Sequence, residues 1–131
     1  MRRFRKQPLG QHRSPVSDAE SERGSGTVLA VGLGMVVVMV MALLLLLAQA
    51  SAAASKAAAA ADLAALAAAD ALRGVSAGEP CFVAAGVAAR HKATLVSCTE
   101  GGDQSVEVST ELAAGPLLGV ATGRARAGPP P

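Results

Sequence analysis

Apolar residues are concentrated in one long segment of this chain and then recur at helical spacing beyond it. Residues 24–55 contain no charged side chain, and residues 28–48 read VLAVGLGMVVVMVMALLLLLA. About 20 consecutive apolar residues are enough for an α-helix to cross the hydrocarbon core of a bilayer. Thirteen of the positions in 28–48 are Leu or Val, and each favours insertion by roughly 0.3–0.6 kcal/mol. The pattern therefore predicts a transmembrane helix over residues 28–48.

The helix is predicted to continue well past the apolar run. Between Leu47 and Arg73 there is no Gly or Pro, and most residues are alanine, the strongest helix former. Arg73 and Gly74 supply a basic last turn and a C-terminal glycine, which is typical of a helix end. We therefore expect residues 23–73 to be a transmembrane helix that extends into an alanine-rich, extracytoplasmic stem.

A small α+β head is predicted over residues 74–128. A helix over 80–92 begins with proline in its first turn. The alternation in TLVSCT (94–99) and SVEVSTEL (105–112) predicts a β-hairpin, and VATGRARA (120–127) predicts a third, edge strand. In the second strand one face carries Val106, Val108 and Thr110. The opposite face carries Glu107, Ser109 and Glu111, and residues 129–131 form a frayed tail.

The distribution of charge predicts the orientation in the membrane. Six basic residues precede the apolar run, and within about 20 residues beyond it the only one is Lys56. This asymmetry places the N-terminus in the cytoplasm and the head outside, in a single-pass protein of the cell membrane. Residues 1–22, rich in Ser, Pro, Gln and Arg, are expected to be a disordered basic cytoplasmic tail. A nucleic-acid-binding arm is disfavoured because aromatic residues are missing among the basic ones.

A cleavable signal peptide is the alternative to an anchor. Ala48-Gln49-Ala50 before Ser51 matches the small-residue pattern of signal peptidase sites. The apolar region is longer than the usual 7–15 residues of a signal peptide, which favours the anchor. If cleavage occurred after Ala50, the head would be released as a small secreted or surface effector.

Two surfaces of the long helix are candidates for packing against other helices. Gly26, Ala30 and Gly34 are four residues apart, which lines small residues along one face and would allow close helix approach. Such residues are also common in membrane spans that have no packing role. The second candidate lies in the stem.

The stretch AAADLAALAAAD (59–70) places two aspartates among alanine and leucine. On a helical wheel Asp70 lies on the stripe of Leu63 and Leu66, with Asp62 beside it. One interpretation is a solvated Asp70–Arg73 pair at i,i+3, worth a few tenths of a kcal/mol. The other is an interhelical contact, in which a partner helix packs on this face and meets an aspartate.

The two cysteines, Cys81 and Cys98, are predicted to form a disulfide. Both lie on the predicted oxidising side, and so small a head needs an additional cross-link. A loop of this length would contribute about 3 kcal/mol. Free thiols and a metal site are the alternatives, although Cys81, His91 and Cys98 make an incomplete zinc set.

Enzymatic chemistry is not indicated anywhere in the chain. There is no Ser-His-Asp spacing, phosphate-binding loop, rigid carboxylate pair or G-x-S-x-G motif, and His91 is expected to be an exposed helix residue. The chain is therefore expected to be no enzyme, and to need no cofactor, metal or small-molecule substrate.

The order of motifs resembles a known family. ERGSGTVLAVGL, a long apolar run, AAAAADLAALAAADALRG, PC, LVSC and a V-x-V strand are similar to the TadE-like proteins of high-GC Gram-positive bacteria, within the Flp pilus-assembly TadE/TadG-like group. The resemblance covers about residues 21–128. Its most specific parts are Arg23-Gly24 before the span and residues 61–67 after it, and Cys81 and Cys98 match the family's cysteines.

The resemblance implies a pilin-like layout and a pseudopilin-like function. It implies an accessory or assembly component of a tight-adherence (Flp) pilus or a related secretion system, which acts by helix packing with other subunits and has no catalytic activity. Prepilin peptidase cuts related pilins after a glycine, with a glutamate five residues later. Here that position is Leu29, counted from Gly24, or Val31, counted from Gly26, which speaks against such processing.

Overall fold

A computed structural model describes Gly10 and residues 19–130 of the chain. Five elements follow in order: α1 (Ala19–Leu72), α2 (Pro80–Arg90), β1 (Thr94–Glu100), β2 (Val106–Gly115) and β3 (Gly119–Ala127). The chain divides into two compact units, Met1–Val40 and Met41–Pro131. One long apolar N-terminal helix, a short helix and a three-stranded antiparallel sheet confirm the predicted α+β layout.

Helix α1 is longer at its start than the sequence predicted. Residues 19–22 were assigned to the disordered tail but belong to α1; none of them is Gly or Pro, so nothing stops the helix there. The rest of that predicted tail, apart from Gly10, lies outside the described residues. Within the described part of the chain, Gly24–Leu72 is the stretch long and apolar enough to cross a membrane, and a signal sequence would meet the same criteria.

The C-terminal end of α1 is where the sequence placed it. Gly74 has a φ of +75°, a left-handed conformation that glycine adopts without strain. The Gly74 amide donates to the Ala71 carbonyl at 3.0 Å, and the Val75 amide donates to the Asp70 carbonyl at 2.9 Å. This pair of hydrogen bonds is the Schellman motif, and it turns the chain out of α1.

Helix α2 begins with a side-chain cap and ends two residues before its predicted boundary. The carboxylate of Glu79 accepts hydrogen bonds from the backbone amides of Cys81 and Phe82, at 3.3 and 2.8 Å. Pro80 occupies the first turn, where its missing N–H costs nothing. His91 is the C-cap, so this exposed residue follows the helix and does not lie within it.

The three strands form an antiparallel meander in the order β1-β2-β3. Val106 pairs with Glu100 on one side and with Ala127 on the other, so β2 is the central strand and β3 is an edge, as predicted. Val106, Val108 and Thr110 are fully buried, which confirms the predicted inward face of β2.

The core of the Met41–Pro131 unit is built mainly from alanine. Its buried cluster joins one face of α1 to α2 and β2 and comprises Ala60, Ala64, Ala65, Ala68, Ala84, Ala88, Ala93, Val106 and Val108. The sequence predicts a transmembrane helix that continues as a stem over residues 23–73, and a separate head over residues 74–128. In the structure, the second part of α1 is the central helix of the compact head itself.

Candidate interaction surface

The alanine face of α1 is covered by the sheet of the same chain. The Thr110 hydroxyl donates to the Ala57 carbonyl at 2.9 Å. Gly123 of β3 lies so close to α1 that an added Cβ would overlap the Ala57 carbonyl and come within 2.7 Å of the Ala58 amide nitrogen. Alanine and glycine at these positions allow backbone to pack on backbone. This face of α1 therefore has no room for a further helix.

The leucine stripe of α1, defined here as Asp62, Leu63 and Leu66, lies on a different face and is exposed. Leu66 exposes 55% of its surface. Within the part of the chain that the structure describes, Asp62 has no ion-pair partner. The stripe thus presents two large apolar side chains and one carboxylate that has no ion-pair partner among the described residues.

A groove runs beside the stripe, between α1 and the end of β3. It has a volume of about 440 Å³ and is lined by Asp62, Ala65, Leu66, Ala125, Arg126, Ala127 and Gly128. Its lining combines small residues with Leu66 and the acidic Asp62. A partner segment that packs on Leu66 would also reach this groove.

Asp70 differs from the other predicted contact residues because it forms an ion pair with Arg73. Its Oδ1 accepts a hydrogen bond from the Arg73 guanidinium at 2.8 Å, with both side chains partly exposed. This is the solvated i,i+3 pair that the sequence offered as one of two interpretations. Asp62 is therefore the stronger candidate for a contact with another chain.

The glycine- and alanine-lined face near the start of α1 is open among the described residues. Gly26, Ala30 and Gly34 are all exposed. A Cβ added at Gly26 or Gly34 would meet nothing within 4 Å. The structure therefore leaves both interpretations of this face, a packing surface or an ordinary span, as they were.

Cys81 and Cys98 form a disulfide that joins the start of α2 to β1, with the two Cα atoms 5.8 Å apart. This confirms the predicted pairing over both alternatives. Glu79 and Glu100 lie close to Cys81, but a sulfur in a disulfide is no thiolate ligand, and Glu79 already caps α2. We therefore assign this cluster a structural function.

A polar network that the sequence did not predict ties the β1–β2 loop to β3. The Ser105 hydroxyl donates to Asp103 at 2.5 Å, while Arg126 donates to Ser105 at 3.0 Å and to Asp103 at 2.8 Å. The hydrogen bond from Ser105, with a contribution from the Arg126 charge, holds the pKa of Asp103 below its ordinary value. The network holds the Arg126 guanidinium against the β1–β2 loop.

The alanine face and Gly123 are the functional positions that the sequence interpretation missed. The sequence carried a signal for Gly123 but none for the alanine face, because residues 57–61 are all alanine and no periodicity distinguishes one helix face from another. Gly123 is isolated inside the strand VATGRARA, and a lone glycine in a strand often marks a close backbone approach.

Comparisons with known proteins returned nothing for this chain: no family model, no curated protein and no solved structure matches it.

Proposed function

We propose that this chain is a non-enzymatic, pseudopilin-like membrane protein, an accessory or assembly component of a tight-adherence (Flp) pilus or a related secretion system. It acts by packing against other subunits through helix α1. The resemblance to TadE-like proteins supports the kind of system. The observation that carries the mode of action is the exposed leucine stripe beside a groove, on a helix whose alanine face is already covered.

Exposed leucines on a small head suit a contact with another protein. Interfaces place apolar side chains at their centre and polar groups at the rim. Leu63 and Leu66 supply the centre, and the Asp62 carboxylate lies beside them. A partner helix that presents small residues to the leucines and a basic group to Asp62 would complement this surface.

The membrane anchor follows from the other part of α1. Every large apolar side chain from Val28 to Leu45 is exposed, which is costly in water and favourable in lipid. With the basic residues on the N-terminal side, the N-terminus lies in the cytoplasm and the head outside. The bilayer and neighbouring subunits are then the partners, and no nucleic acid or small-molecule substrate is needed.

A released effector is the second candidate function. One observation favours it: the fully buried core of the head begins beyond Ala50, so cleavage there would leave that core intact. Against it, residues 48–50 are helical within α1, whereas a signal peptidase needs an extended segment in its active site. The anchor is therefore the first candidate.

The decisive experiment is partner recovery from detergent-solubilised native membranes with the full chain as bait. Leu66→Asp places a charge at the centre of the stripe and is expected to lower the recovery of partner subunits roughly ten-fold or more, the loss typical of a central contact. Asp62→Ala should lower it less. The matched control is Val96→Asp, since Val96 is 54% exposed on β1, away from the stripe.

The same samples report whether the variants fold and insert. All three should remain in the membrane after a carbonate wash, and all should retain the Cys81–Cys98 disulfide. Equal partner recovery by Leu66→Asp and Val96→Asp would contradict packing through the stripe. Recovery of the head from the medium instead of the membrane would favour the released effector.

A further inference from the structure

The connection between β2 and β3 is an apolar hairpin tip. Residues 112–123, LAAGPLLGVATG, contain no charged side chain. The tip, defined here as residues 115–119, is bounded by two glycines with positive φ, Gly115 and Gly119. Between them Leu117 exposes 82% of its surface. The tip therefore presents one exposed apolar side chain on a segment without charge.

The direction of the strands shows which end of the head carries this tip. Gly123 lies against Ala57 and Ala58, whereas residues 125–128 line a groove with Asp62 and Leu66. Strand β3 therefore runs in the same direction as α1. Going back from Gly123 to Gly119 covers about 13 Å of strand, and the same distance along α1 is about nine residues. The tip thus lies at the level of Ala48, where the apolar run ends.

The burial of α1 supports this placement. Leu46 and Ala50 are half-buried, and they continue the face of Ala53 and Ala57 at helical spacing. The neighbours Leu45 and Leu47 remain 65% and 67% exposed. Something packs on α1 as far as Leu46, and the hairpin is the described element whose strands run toward it. All of these residues belong to the Met41–Pro131 unit.

A basic cluster lies next to the hairpin. Lys56, His91 and Lys92 line two adjoining hollows of about 340 and 350 Å³. Arg90 lines the first, and Leu112 and Ala113, which lead into the tip, line the second. No carboxylate lines either hollow. Among the residues that the structure describes, none of the four side chains has an ion-pair partner. Lys56 is about 12 Å along the helix from Ala48.

Lys92 adopts a backbone conformation that is unfavourable for a lysine. Its φ is +59°, in the left-handed region that favours glycine. Its amide donates to the Ala89 carbonyl and the next amide to the Ala88 carbonyl, both at 3.0 Å, the bonds of a Schellman motif. Glycine is the usual residue there, so the lysine contributes a charge that the fold itself does not need.

We propose that the hairpin tip and the basic cluster together dock the head onto the anionic surface of the bilayer that α1 crosses. Leu117 enters the boundary between headgroups and acyl chains, and the cations bind lipid phosphodiester groups. Basic residues near a membrane surface and apolar side chains at its interface are the two components of interfacial binding. The inference rests on the membrane anchoring proposed above.

The chain contains no tryptophan, so one indole can report the depth of one position. Leu117→Trp is made in the full chain, which is then reconstituted into phosphatidylcholine bilayers with and without phosphatidylglycerol, using brominated acyl chains as quenchers. The control is Phe82→Trp, because Phe82 is 78% exposed but lies at the opposite end of α2 from Arg90. We expect quenching and a blue-shifted emission at position 117 and water-like emission at position 82.

A third tryptophan variant distinguishes failure of the docking proposal from failure of the membrane anchor. Leu44→Trp reports the span and should be quenched by bromine deep in the acyl chains. If position 44 is quenched and position 117 behaves like position 82, the anchor stands and docking is overturned. If position 44 is not quenched, the anchoring itself fails, and docking fails with it.

Lys92→Gly tests the basic cluster without disturbing the fold. Glycine suits the backbone there, so the head should be at least as stable, while the docked-to-undocked ratio in anionic bilayers should fall about five-fold at low salt, as for one cation near a charged surface. Gln104→Gly is the control, because Gln104 also has a positive φ, +61°, and carries no charge. Equal quenching at position 117 with and without phosphatidylglycerol would overturn the assignment of the cluster to anionic lipid.

Discussion

The apolar run and the alanine stretch of α1 differ in what surrounds them. In residues 28–45 the side chains are mostly Val, Leu and Met, and the large ones are exposed. In residues 53–69 the alanines facing the sheet are buried, several of them completely. A water-soluble protein would show the opposite, with its largest apolar side chains inside. Protein of the same chain therefore surrounds the second region, whereas the first is apolar and exposed, as a membrane span or a signal sequence would be.

The comparison also shows how so small a head holds together. Alanine removes little apolar area from water on burial, and the burial of each methylene-sized group contributes only about 0.8 kcal/mol. The head therefore depends on the close approach of the α1 and β3 backbones, on the Thr110–Ala57 hydrogen bond and on the disulfide between α2 and β1. Each of these three contributions can be removed separately, and none of the removals should affect the apolar run.

The largest effect is expected from Gly123→Ala. The added methyl group would meet the backbone of Ala57 and Ala58, which cannot rotate away. We expect the head to lose about 3 kcal/mol of stability or more, at the upper end for overpacking, measured by amide exchange of β2 for the full chain in micelles. Gly86→Ala is the control: nothing lies within 4 Å of that site in α2, and it should stabilise the helix by about 0.5–1 kcal/mol. Similar exchange in both variants would show that α1 and β3 are not in such close contact.

Removal of the disulfide should be next in size. The double variant Cys81→Ala, Cys98→Ala opens a loop with a sequence separation of 17, and the chain-entropy estimate for such a loop is about 3 kcal/mol. Thermal unfolding of the head in micelles measures the loss. Reduction of the unaltered chain should give the same shift. An unchanged midpoint would mean that α2 is held on the sheet by packing alone.

Thr110→Val should have a smaller effect that is specific to the alanine face. The substitution keeps the shape of the side chain and removes the hydrogen bond to the Ala57 carbonyl. A loss of about 1 kcal/mol is expected for a buried hydrogen bond. Thr122→Val on the exposed side of β3 is the matched control and should change little. If the two variants unfold alike, the hydroxyl does not hold α1 on the sheet.

The sequence was sufficient to predict the elements of both regions but not how the second is packed. The uninterrupted helix, the capped α2 and the three strands follow from local signals: a glycine after Arg73, a proline in a first turn and alternation in β2. Packing of the alanine face is a non-local contact between residues more than 50 positions apart. Leu63 and Leu66 are the largest apolar residues there, so the sequence predicted the contact face around them. In the structure the core instead contains the smaller alanines, which permit close approach of the backbones.

The part of the candidate site that depends on local helical spacing was predictable, and the part that depends on non-local packing was not. Helical spacing alone placed Asp62, Leu63 and Leu66 on neighbouring lines, and the structure keeps them together on the surface. The groove beside them depends on β3, whose position relative to α1 no local pattern reveals. The network of Asp103, Ser105 and Arg126 joins residues from the β1–β2 loop and β3, so it too appears only once the sheet is formed.

The smallest expected effect concerns the pH dependence of that network. Because the folded state lowers the pKa of Asp103, its contribution to stability is present above the ordinary pKa of aspartate, about 3.9, and is lost as the pH falls through the lower folded value. A carbon-detected NMR titration should give Asp103 a midpoint below the ordinary pKa of aspartate, about 3.9. Ser105→Ala should raise the Asp103 midpoint, and an unchanged midpoint in that variant would exclude the hydroxyl as the main cause.

The central claim is that one uncleaved helix provides both the membrane anchor and the core of the head. Intact-mass spectrometry of protein from carbonate-washed native membranes tests it most directly, because it shows whether residues 24–50 are still joined to residues 51–131. We predict a membrane-bound species in which the bond between Ala50 and Ser51 is intact. A product that begins at Ser51 and is found in the soluble fraction would contradict the claim.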